Sequence, residues 1–421
     1  MGRICQKKED KWRDGVFKMK FMIQSPVLQK LEPAINDVII LLKETIDKKQ
    51  PILVRHHADA DGYTAGVALE RALIPLIGAK QRRERDVSYY YQRLPSLSPY
   101  YSYEDATKDT QTFLRSMVQF ATKAPLILLL DFGSAAESLP AIQKVKIYGA
   151  SVAVIDHHPP DDHVTQAIAV HINPHLVGST YDYSAGMLSS EIAHLLASEI
   201  IDLPDQQFYF IAAVSGTADK VASEEYKKYM SIAAHHGFSE KFVHNVASVL
   251  DYEAHILGPT SGREIVQDIL GMDEKKQHKL IALAEKQIEK LFAAQLASCL
   301  QYAEIIEKKH FVFVKVPIET VMSSRNPYPN RGKAVGLVQQ HFMHHGKKAL
   351  VVGVGNTSLN FRCSPDIKEF DVNNFIACCR KKFPYAQVSG GGHRVAGTAT
   401  FVSAAKEDIL TYLEEYVEPI K

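Results

Sequence analysis

The chain has 421 residues, which is too long for one small core and suggests two or three domains. Hydrophobic residues make up 46% of it and charged residues 23%, a composition that excludes collagen-like, disordered and very small disulfide-stabilised proteins. Its 49 basic and 48 acidic residues nearly cancel, so any nucleic-acid site must be a local patch and not a field over the whole surface.

The cysteines and the first residues of the chain predict a soluble, cytoplasmic protein. Five cysteines occur at spacings that fit neither a disulfide framework nor a CxxC pair, so we expect reduced thiols. Residues 1–20 mix charged side chains with short apolar islands, unlike a signal peptide. The apolar runs are far shorter than the ~20 residues that a membrane span requires.

From Pro26 onward, short apolar runs alternate with longer amphipathic stretches. The predicted elements are a helix to about Lys48, a strand at Ile52–Arg55, a helix from Thr64, and strands at Leu126–Leu130 and Val152–Ile155. This alternation is typical of βαβ units. It predicts an α/β fold with a mostly parallel sheet flanked by helices.

The remainder of the chain predicts a helical region and a second, smaller α/β domain. Residues 184–305 have almost no strand pattern, and their last helix, Asp273 to Glu307, is predicted to be a connector. The later predicted elements are strands at Phe311–Val316 and Ala349–Val354 and helices at Val335–His344, Val372–Lys382 and Lys406–Val417. The predicted organisation is an N-terminal extension (1–25), a catalytic domain (26–272), the connector (273–307) and a substrate-binding domain (308–421).

Acidic and imidazole side chains stand at the ends of three predicted strands and of one predicted helix. They are His57, Asp59, Asp61, Asp131, Asp156, His157, His158 and Asp219. In an open parallel sheet, ligands bind at the carboxyl ends of the strands. Imidazole and carboxylate donors together suit a divalent ion such as Mn²⁺ or Mg²⁺.

Each of these motifs also has a plainer interpretation. Asp59 and Asp61 could form an Asx turn and a helix cap, Asp131 could cap a helix, and Asp219 could be a solvated acid. Capping does not explain the two adjacent histidines that follow Asp156.

If the strand ends bring these motifs to one place, a metal site becomes a better explanation than separate helix caps. Two carboxylates at 4 Å repel by about 4 kcal/mol at an effective dielectric of about 20, and cations relieve that repulsion. We predict two divalent cations about 3.5–4 Å apart, Mn²⁺ in preference to Mg²⁺. One arrangement gives the first ion His57, Asp59 and Asp131, and the second ion Asp61, Asp131, His157 and Asp219. His56 remains an alternative to His57.

In their order along the chain, these motifs resemble the four motifs of the DHH phosphoesterase superfamily, which is named for an Asp-His-His such as residues 156–158. Asn360 to Ser364 and Ser389 to Gly397 are similar to the arginine-containing strand and the GGGH loop of the associated DHHA1 domain. The resemblance covers about residues 50–400. It is closest to the compact, archaeal type of RecJ-like nuclease, with nanoRNases and oligonucleotide phosphodiesterases as neighbours.

The resemblance assigns roles by position. It implies that the metal ligands are His57, Asp59, Asp61, Asp131, His157 and Asp219. It implies that His158 contacts the scissile phosphate and that Asp156 orients the catalytic site. It further implies that a substrate phosphate is bound by Arg362, Gly391, Gly392 and His393, although a tight turn before a strand would equally explain the glycines.

The implied function is a metal-dependent exonuclease that shortens single-stranded DNA or RNA from an end to mononucleotides. Archaeal members of the resembled family associate with the GINS complex, so GINS or other replication proteins are expected partners beside the nucleic acid. Two alternatives stay open: an enzyme that cleaves very short oligoribonucleotides or cyclic dinucleotides, and a non-catalytic scaffold of the replication machinery. A run of tyrosines between Tyr89 and Tyr103 could stack bases, but a strand followed by a packed loop is the favoured interpretation.

Overall fold

The computed structural model describes residues 19–80, 87–198, 205–258, 260, 262–271, 273–322 and 328–420. The N-terminal extension predicted over 1–25 is therefore described from Met19 only, and residues 1–18 lie outside the described residues. The chain divides into two compact units, Met1–Glu285 and Lys286–Lys421. The domain limits given above stay a prediction.

The first unit is built on a five-stranded parallel sheet, in the order β2-β1-β3-β4-β5. The strands are β1 (Ile52–His57), β2 (Tyr91–Ser96), β3 (Leu126–Leu130), β4 (Ser151–Ile155) and β5 (Val170–Ile172). The central strand β3 consists of leucine and isoleucine and is buried throughout, as expected of a parallel strand covered by helices on both faces. The predicted α/β fold is confirmed.

Helices cover this sheet and then continue as a helical region. The helices of the sheet region are α1 (Pro26–Asp47), α2 (Ala60–Lys80), α3 (Val87–Tyr90), α4 (Tyr103–Phe120), α5 (Leu139–Ile147) and α6 (Asp162–Ala167). The helices that follow are α7 (Ala185–Ala197), α8 (Gln206–Ala218), α9 (Glu224–His235), α10 (Glu240–Leu257), α11 (Arg263–Ile269) and α12 (Glu274–Tyr302). Helix α1 begins where the Ser25 hydroxyl accepts hydrogen bonds from the backbone of Val27 and Leu28, with Pro26 in the first turn.

The second unit contains a six-stranded mixed sheet in the order β10-β11-β9-β8-β7-β6. The strands are β6 (Glu304–Glu307), β7 (Val312–Pro317), β8 (Ala349–Val354), β9 (Ser358–Cys363), β10 (Ser389–His393) and β11 (Ala396–Thr400). The helices are α13 (Ile318–Val321), α14 (Arg331–His344), α15 (Val372–Lys382) and α16 (Lys406–Val417). Strands β7 and β8 pair in parallel and the other pairs are antiparallel. Buried phenylalanines, among them Phe361 and Phe375, form much of its core.

The predicted connector helix is too long at its C-terminal end. Helix α12 ends at Tyr302, and Glu304–Glu307 forms strand β6 instead, which pairs antiparallel with β7. Glu-Ile-Ile-Glu is a short segment with two β-branched residues, and pairing with the apolar strand β7 outweighs helix continuation.

None of the helices in the described part of the chain combines the length and the apolar character needed to cross a membrane. Among the described residues, Cys299, Cys363, Cys378 and Cys379 are free thiols, as predicted. Cys5 lies outside the described residues.

Candidate metal centre

Three adjacent strands of the first unit bring the predicted motifs to one edge of the sheet. His57 is the last residue of β1, Asp131 follows β3 and Asp156 follows β4. Asp131 has a φ angle of +61°, which is uncommon for a residue other than glycine, and its backbone N–H donates to Ile155. Residues held in such sparsely populated conformations cluster at functional sites.

The first group of donors lies at the ends of β1 and β3. The Nδ1 atom of His57 is 2.7 Å from Oδ2 of Asp59 and 3.5 Å from Oδ2 of Asp131. One donor atom from each of these three residues lies within 4.8 Å of the others, close enough to hold one metal ion. This is the first ion's predicted ligand set.

The second group surrounds His157. Its Nε2 atom is 3.3 Å from Oδ1 of Asp131, 3.3 Å from Oδ2 of Asp219 and 3.9 Å from Oδ2 of Asp61. Asp61, His157 and Asp219 again place donor atoms within 4.8 Å of one another. Asp131 directs one carboxylate oxygen to each group, so it occupies the position that the sequence predicts for a bridging ligand.

Two observations show that these residues fit divalent cations. Asp131 Oδ2 and His157 Nε2 are buried and have no hydrogen-bond partner among the described residues. Within that same part of the chain, the ion-pair partners of the clustered carboxylates are histidines, with no lysine or arginine among them. Buried anions without cationic partners are costly, and a bound divalent ion compensates them.

The pKa shifts reflect the same crowding. Burial, with the Asp59 and Asp61 carboxylates, raises the pKa of Asp131 well above its ordinary value. Burial also raises the pKa of Asp219 to about 6, although His157 opposes the shift. Burial disfavours the charged form of His157, but Asp219 and Asp131 outweigh it and raise the pKa of this imidazole well above its ordinary value. With these raised pKa values, the clustered side chains bind protons more readily than isolated ones do. A bound divalent ion would supply the same positive charge.

Asp61 is held from outside its own motif. Its Oδ2 and Oδ1 atoms accept 2.9 Å hydrogen bonds from the backbone N–H groups of Ala185 and Gly186, at the start of α7, and the Ser215 hydroxyl also donates to Oδ1. A helix N-terminus favours a carboxylate. A Cβ atom at Gly186 would lie 2.4 Å from Thr64 Oγ1, so the close approach of α7 requires glycine. Sequence analysis missed this support, and its available signal was the run of small residues at 184–186.

Asp156 shapes the turn that carries the two histidines. Its Oδ1 atom accepts from the backbone N–H groups of His157 (2.8 Å) and His158 (3.2 Å) and lies 2.8 Å from Nδ1 of His158. Its Oδ2 atom accepts from the Ser134 N–H. Burial disfavours a charged His158, but Asp156 outweighs this effect and raises the pKa of His158 to about 9. The His158 side chain is 49% exposed, so a protonated imidazole is presented at the edge of the sheet.

The structure separates the two adjacent histidines of the first motif. His56 is fully buried, and its Nδ1 atom is 2.7 Å from the carbonyl oxygen of His57. Its Nε2 atom is 3.2 Å from Nη1 of Arg93, and its ring meets the Tyr63 ring edge-on. Successive side chains of a strand point to opposite faces. His57 therefore joins the cluster, and His56 supports the backbone of the motif.

The predicted substrate-binding residues lie in the second unit. Arg362 is in β9 and is paired with Ala396 of β11. Its Nη1 donates to the Phe361 carbonyl oxygen, and burial lowers the pKa of Arg362. Within the described residues, Arg362 forms no ion pair with a carboxylate.

The glycine segment forms a strand, β10, and not the predicted loop. The strand pairs with β11 across a turn, and Gly390 and Gly392 have φ angles of +126° and +147°, which suit glycine. A Cβ atom at Gly392 would lie 2.4 Å from the Ala396 carbonyl oxygen, whereas one at Gly391 would have only Asn373 Oδ1 near it, at 3.6 Å. The backbone of His393 ends β10, and its side chain lies outside the described part of the molecule.

The tyrosine run follows the plainer interpretation in part. Tyr91 begins strand β2 and is buried, and Tyr101 is buried against the Asp109 carboxylate. Tyr103 remains exposed, but Lys144 Nζ lies 4.0 Å from the centre of its ring.

Comparison with known proteins shows which families and structures this chain is similar to. Residues 51–205 match the model of the DHH family, N-terminal domain. Over 100% of its length, the chain is similar to 99% of the structure of a DHH domain from a member of the s1p family of ribosomal proteins, with 29% identity and a TM-score of 0.90. Residues 51–205 of the chain therefore form a DHH-family N-terminal domain.

Two further proteins are similar to this chain over most of its length. It is 28% identical to an uncharacterized protein of Methanocaldococcus jannaschii over 428 residues, which are 95% of this chain and 56% of the relative, so the chain spans little more than half of that curated protein. It is 16% identical to the crystal structure of exonuclease RecJ bound to manganese, covering 92% of this chain and 95% of RecJ with a TM-score of 0.60. The fold of the chain is thus similar to that of RecJ.

Proposed function

We propose that this protein is a metal-dependent phosphodiesterase, a RecJ-like exonuclease that degrades single-stranded DNA or RNA from an end to mononucleotides by two-metal hydrolysis. The observation that carries the proposal is the pair of donor groups that share Asp131, at the carboxyl ends of three adjacent strands. A site of this kind, in a DHH fold similar to manganese-bound RecJ, supports hydrolysis of a phosphate ester.

The first proposed cation, Mn²⁺ in preference to Mg²⁺, would be held by His57, Asp59 and Asp131. The second would be held by Asp61, Asp131, His157 and Asp219. When bound, such a pair of ions activates water and stabilises the oxygens of an in-line displacement at phosphorus. The complete donor set favours an active enzyme over the non-catalytic replication scaffold.

His158 supplies the proposed contact to the scissile phosphate. Because the Asp156 carboxylate accepts a hydrogen bond from Nδ1–H of the protonated ring, the Nε2–H of this imidazolium is left to donate to a phosphate oxygen. A charge-assisted hydrogen bond of this kind stabilises negative charge as it builds up during the displacement. Asp156 is thus a positioning residue in this proposal.

The second unit would bind a phosphate of the substrate through Arg362, Gly391, Gly392 and His393. Arg362 supports this role because its guanidinium has a backbone carbonyl as partner and lacks a carboxylate within the described residues. Gly391 supports it because the space beside its Cα atom is open apart from Asn373. Single-stranded nucleic acid is the proposed principal partner, with GINS or other replication proteins as further proposed partners.

The test is digestion of 5′-labelled and 3′-labelled DNA and RNA 20-mers, and of dinucleotides, with Mn²⁺, Mg²⁺ or EDTA. The wild-type protein should release mononucleotides from the long strands with a divalent ion and leave them intact in EDTA. An Asp131→Asn variant, purified in parallel, should be inactive and thereby exclude a contaminating nuclease. Intact long strands combined with rapid dinucleotide cleavage would replace the RecJ-like assignment with an oligonucleotide phosphodiesterase. Intact substrates throughout would reject the proposal.

A further inference from the structure

Strand β5 ends at the same edge of the first sheet as the strands that carry the metal-binding motifs. The residue that follows it is Asn173, whose side chain is fully buried and has no part in the proposed function so far. Strand β5 pairs in parallel with β4, and the Asp156 N–H donates to the Ile172 carbonyl oxygen at 3.0 Å. Asn173 therefore lies beside the Asp-His-His turn, which is the turn at residues 156–158.

The amide group of Asn173 uses both its donor and its acceptor. Its Nδ2 atom donates to the His158 carbonyl oxygen at 2.9 Å and to Ser134 Oγ at 3.1 Å. Its Oδ1 atom accepts from the His175 N–H at 3.0 Å and so caps the short 3₁₀ helix Pro174–Val177. One side chain thus attaches the last residue of the Asp-His-His turn to the end of β5.

Ser134, the second partner of the Asn173 amide, holds the first residue of the same turn. Its backbone N–H donates to Oδ2 of Asp156 at 3.1 Å, and its Oγ atom is 2.9 Å from Nε2 of His171 in β5. Asn173, Ser134 and Asp156 are all buried. These side chains therefore form one buried network that fixes the turn at its start, through Asp156, and at its end, through the carbonyl group of His158.

We propose that Asn173 is a positioning residue that places the His158 imidazole for its contact with the scissile phosphate. This inference rests on the proposed function, which gives His158 that contact. Asp156 sets the direction of the ring by accepting from Nδ1, whereas Asn173 sets the backbone from which the ring projects. The His158 side chain is 49% exposed, so packing restrains it less than it restrains a buried ring. A displacement of about 1 Å in such a group can cost about a hundredfold in rate.

The experiment is a double-mutant cycle between Asn173→Ser and His158→Ala, with kcat and KM measured on the labelled long strands with Mn²⁺. A serine hydroxyl can still cap the 3₁₀ helix, but serine has no amide to donate to the His158 carbonyl oxygen. Asn245→Ser is the matched control, because it removes a 2.8 Å amide hydrogen bond to Glu285 in the helical region. Thermal unfolding shows that each variant is folded, and Asn173→Thr replaces a serine variant that is not.

In the wild-type background, Asn173→Ser should lower kcat about 10- to 100-fold and change KM by less than about threefold, and Asn245→Ser should match the wild type. In the His158→Ala background, Asn173→Ser should lower kcat by less than about twofold, because the ring that it places is gone.

The outcomes separate this inference from the function on which it rests. An active wild type in which Asn173→Ser loses nothing, or loses equally in both backgrounds, overturns the positioning role alone. A His158→Ala variant as active as the wild type also overturns it, because the ring would then have no contact to place. A wild type that leaves the long strands intact rejects the proposed function and the positioning role together.

Discussion

Two sets of carboxylates lie around the first sheet and differ in their ion-pair partners. Beside β1 and β2, Asp109 accepts from Nε and Nη2 of Arg55, with the shortest contact at 2.6 Å. Glu70 binds Arg93 and Arg263, both at 2.9 Å. At the carboxyl ends of β1, β3 and β4, the carboxylates have only histidines as ion-pair partners among the described residues.

This difference in partners distinguishes carboxylates that stabilise the fold from carboxylates that are available to bind metal ions. An arginine supplies permanent positive charge within the fold, so the Asp109 and Glu70 carboxylates need nothing further. An imidazole is positively charged only while it is protonated, and it is itself a metal ligand, so bound cations can replace the protons that compensate the second set. The two sets should therefore respond in opposite ways to mutation.

The largest effect is expected from Asp131→Asn in the metal centre. The bridging position loses a charged ligand for both proposed ions, so kcat with Mn²⁺ should fall by more than about a thousandfold, or about 4 kcal/mol of barrier. In EDTA, the free energy of unfolding should stay the same or rise, because one of several repelling carboxylates is gone. Steady-state kinetics and urea unfolding provide both values. A strongly destabilised variant would show that Asp131 belongs with the structural set.

The next effect is expected from Asp109→Ala beside β1. This change leaves Arg55 buried without its bidentate partner and should cost about 3–5 kcal/mol of unfolding free energy. Activity per folded molecule should be retained, because neither residue is in the donor groups. The double variant Arg55→Met, Asp109→Leu removes both charges and should recover most of the lost stability in urea unfolding. If the single variant costs less than about 1 kcal/mol, the distinction between the two sets fails.

A smaller effect is expected from His56→Gln. His56 lies between the arginine-paired carboxylates and the metal centre. His56 contacts Arg93 on one side and the backbone carbonyl of a proposed ligand on the other. Glutamine cannot reproduce both contacts, and loss of a residue that orients a ligand typically reduces activity or metal affinity 10- to 100-fold. Mn²⁺ titration followed by activity should show the weaker affinity. Wild-type affinity in this variant would mean that the ligand's position does not depend on His56.

The smallest effect is a pH dependence of stability in EDTA. Asp156 raises the pKa of His158 from its ordinary 6.5 to about 9, against the effect of burial. Because the folded value is the higher one, this stabilisation is complete below about pH 6.5 and is lost as the pH rises through 9. Urea midpoints of the wild type should fall over that range, and His158→Asn should reduce the slope. A wild-type midpoint that is constant from pH 6.5 to 9 would contradict this assignment.

The parts of the fold and site that could be predicted depend on neighbours in the sequence. The apolar runs predicted the strands, and the metal donors follow these runs directly in the sequence. The donors could be grouped into one site because a parallel sheet brings the carboxyl ends of its strands to one edge. The second unit's helices at Val372–Lys382 and Lys406–Val417 were predicted with their observed limits.

The remainder depends on contacts that are distant in the sequence. Asp61 is held by N–H groups 124 and 125 residues away, which no local pattern predicts. The choice between His56 and His57 depends on which face of β1 is covered by Arg93 and Tyr63. The glycine segment forms a strand because β11 is available for pairing, a tertiary effect that overrides the turn propensity of glycine.

The most direct test of the account is the anomalous diffraction signal of manganese in crystals of the wild-type protein and of Asp131→Asn. We expect two peaks in the wild type, one beside His57 and Asp59 and one beside His157 and Asp219, both within ligand distance of Asp131. The variant should lose at least one of them. Side chains in their present arrangement with no manganese between them would contradict the account.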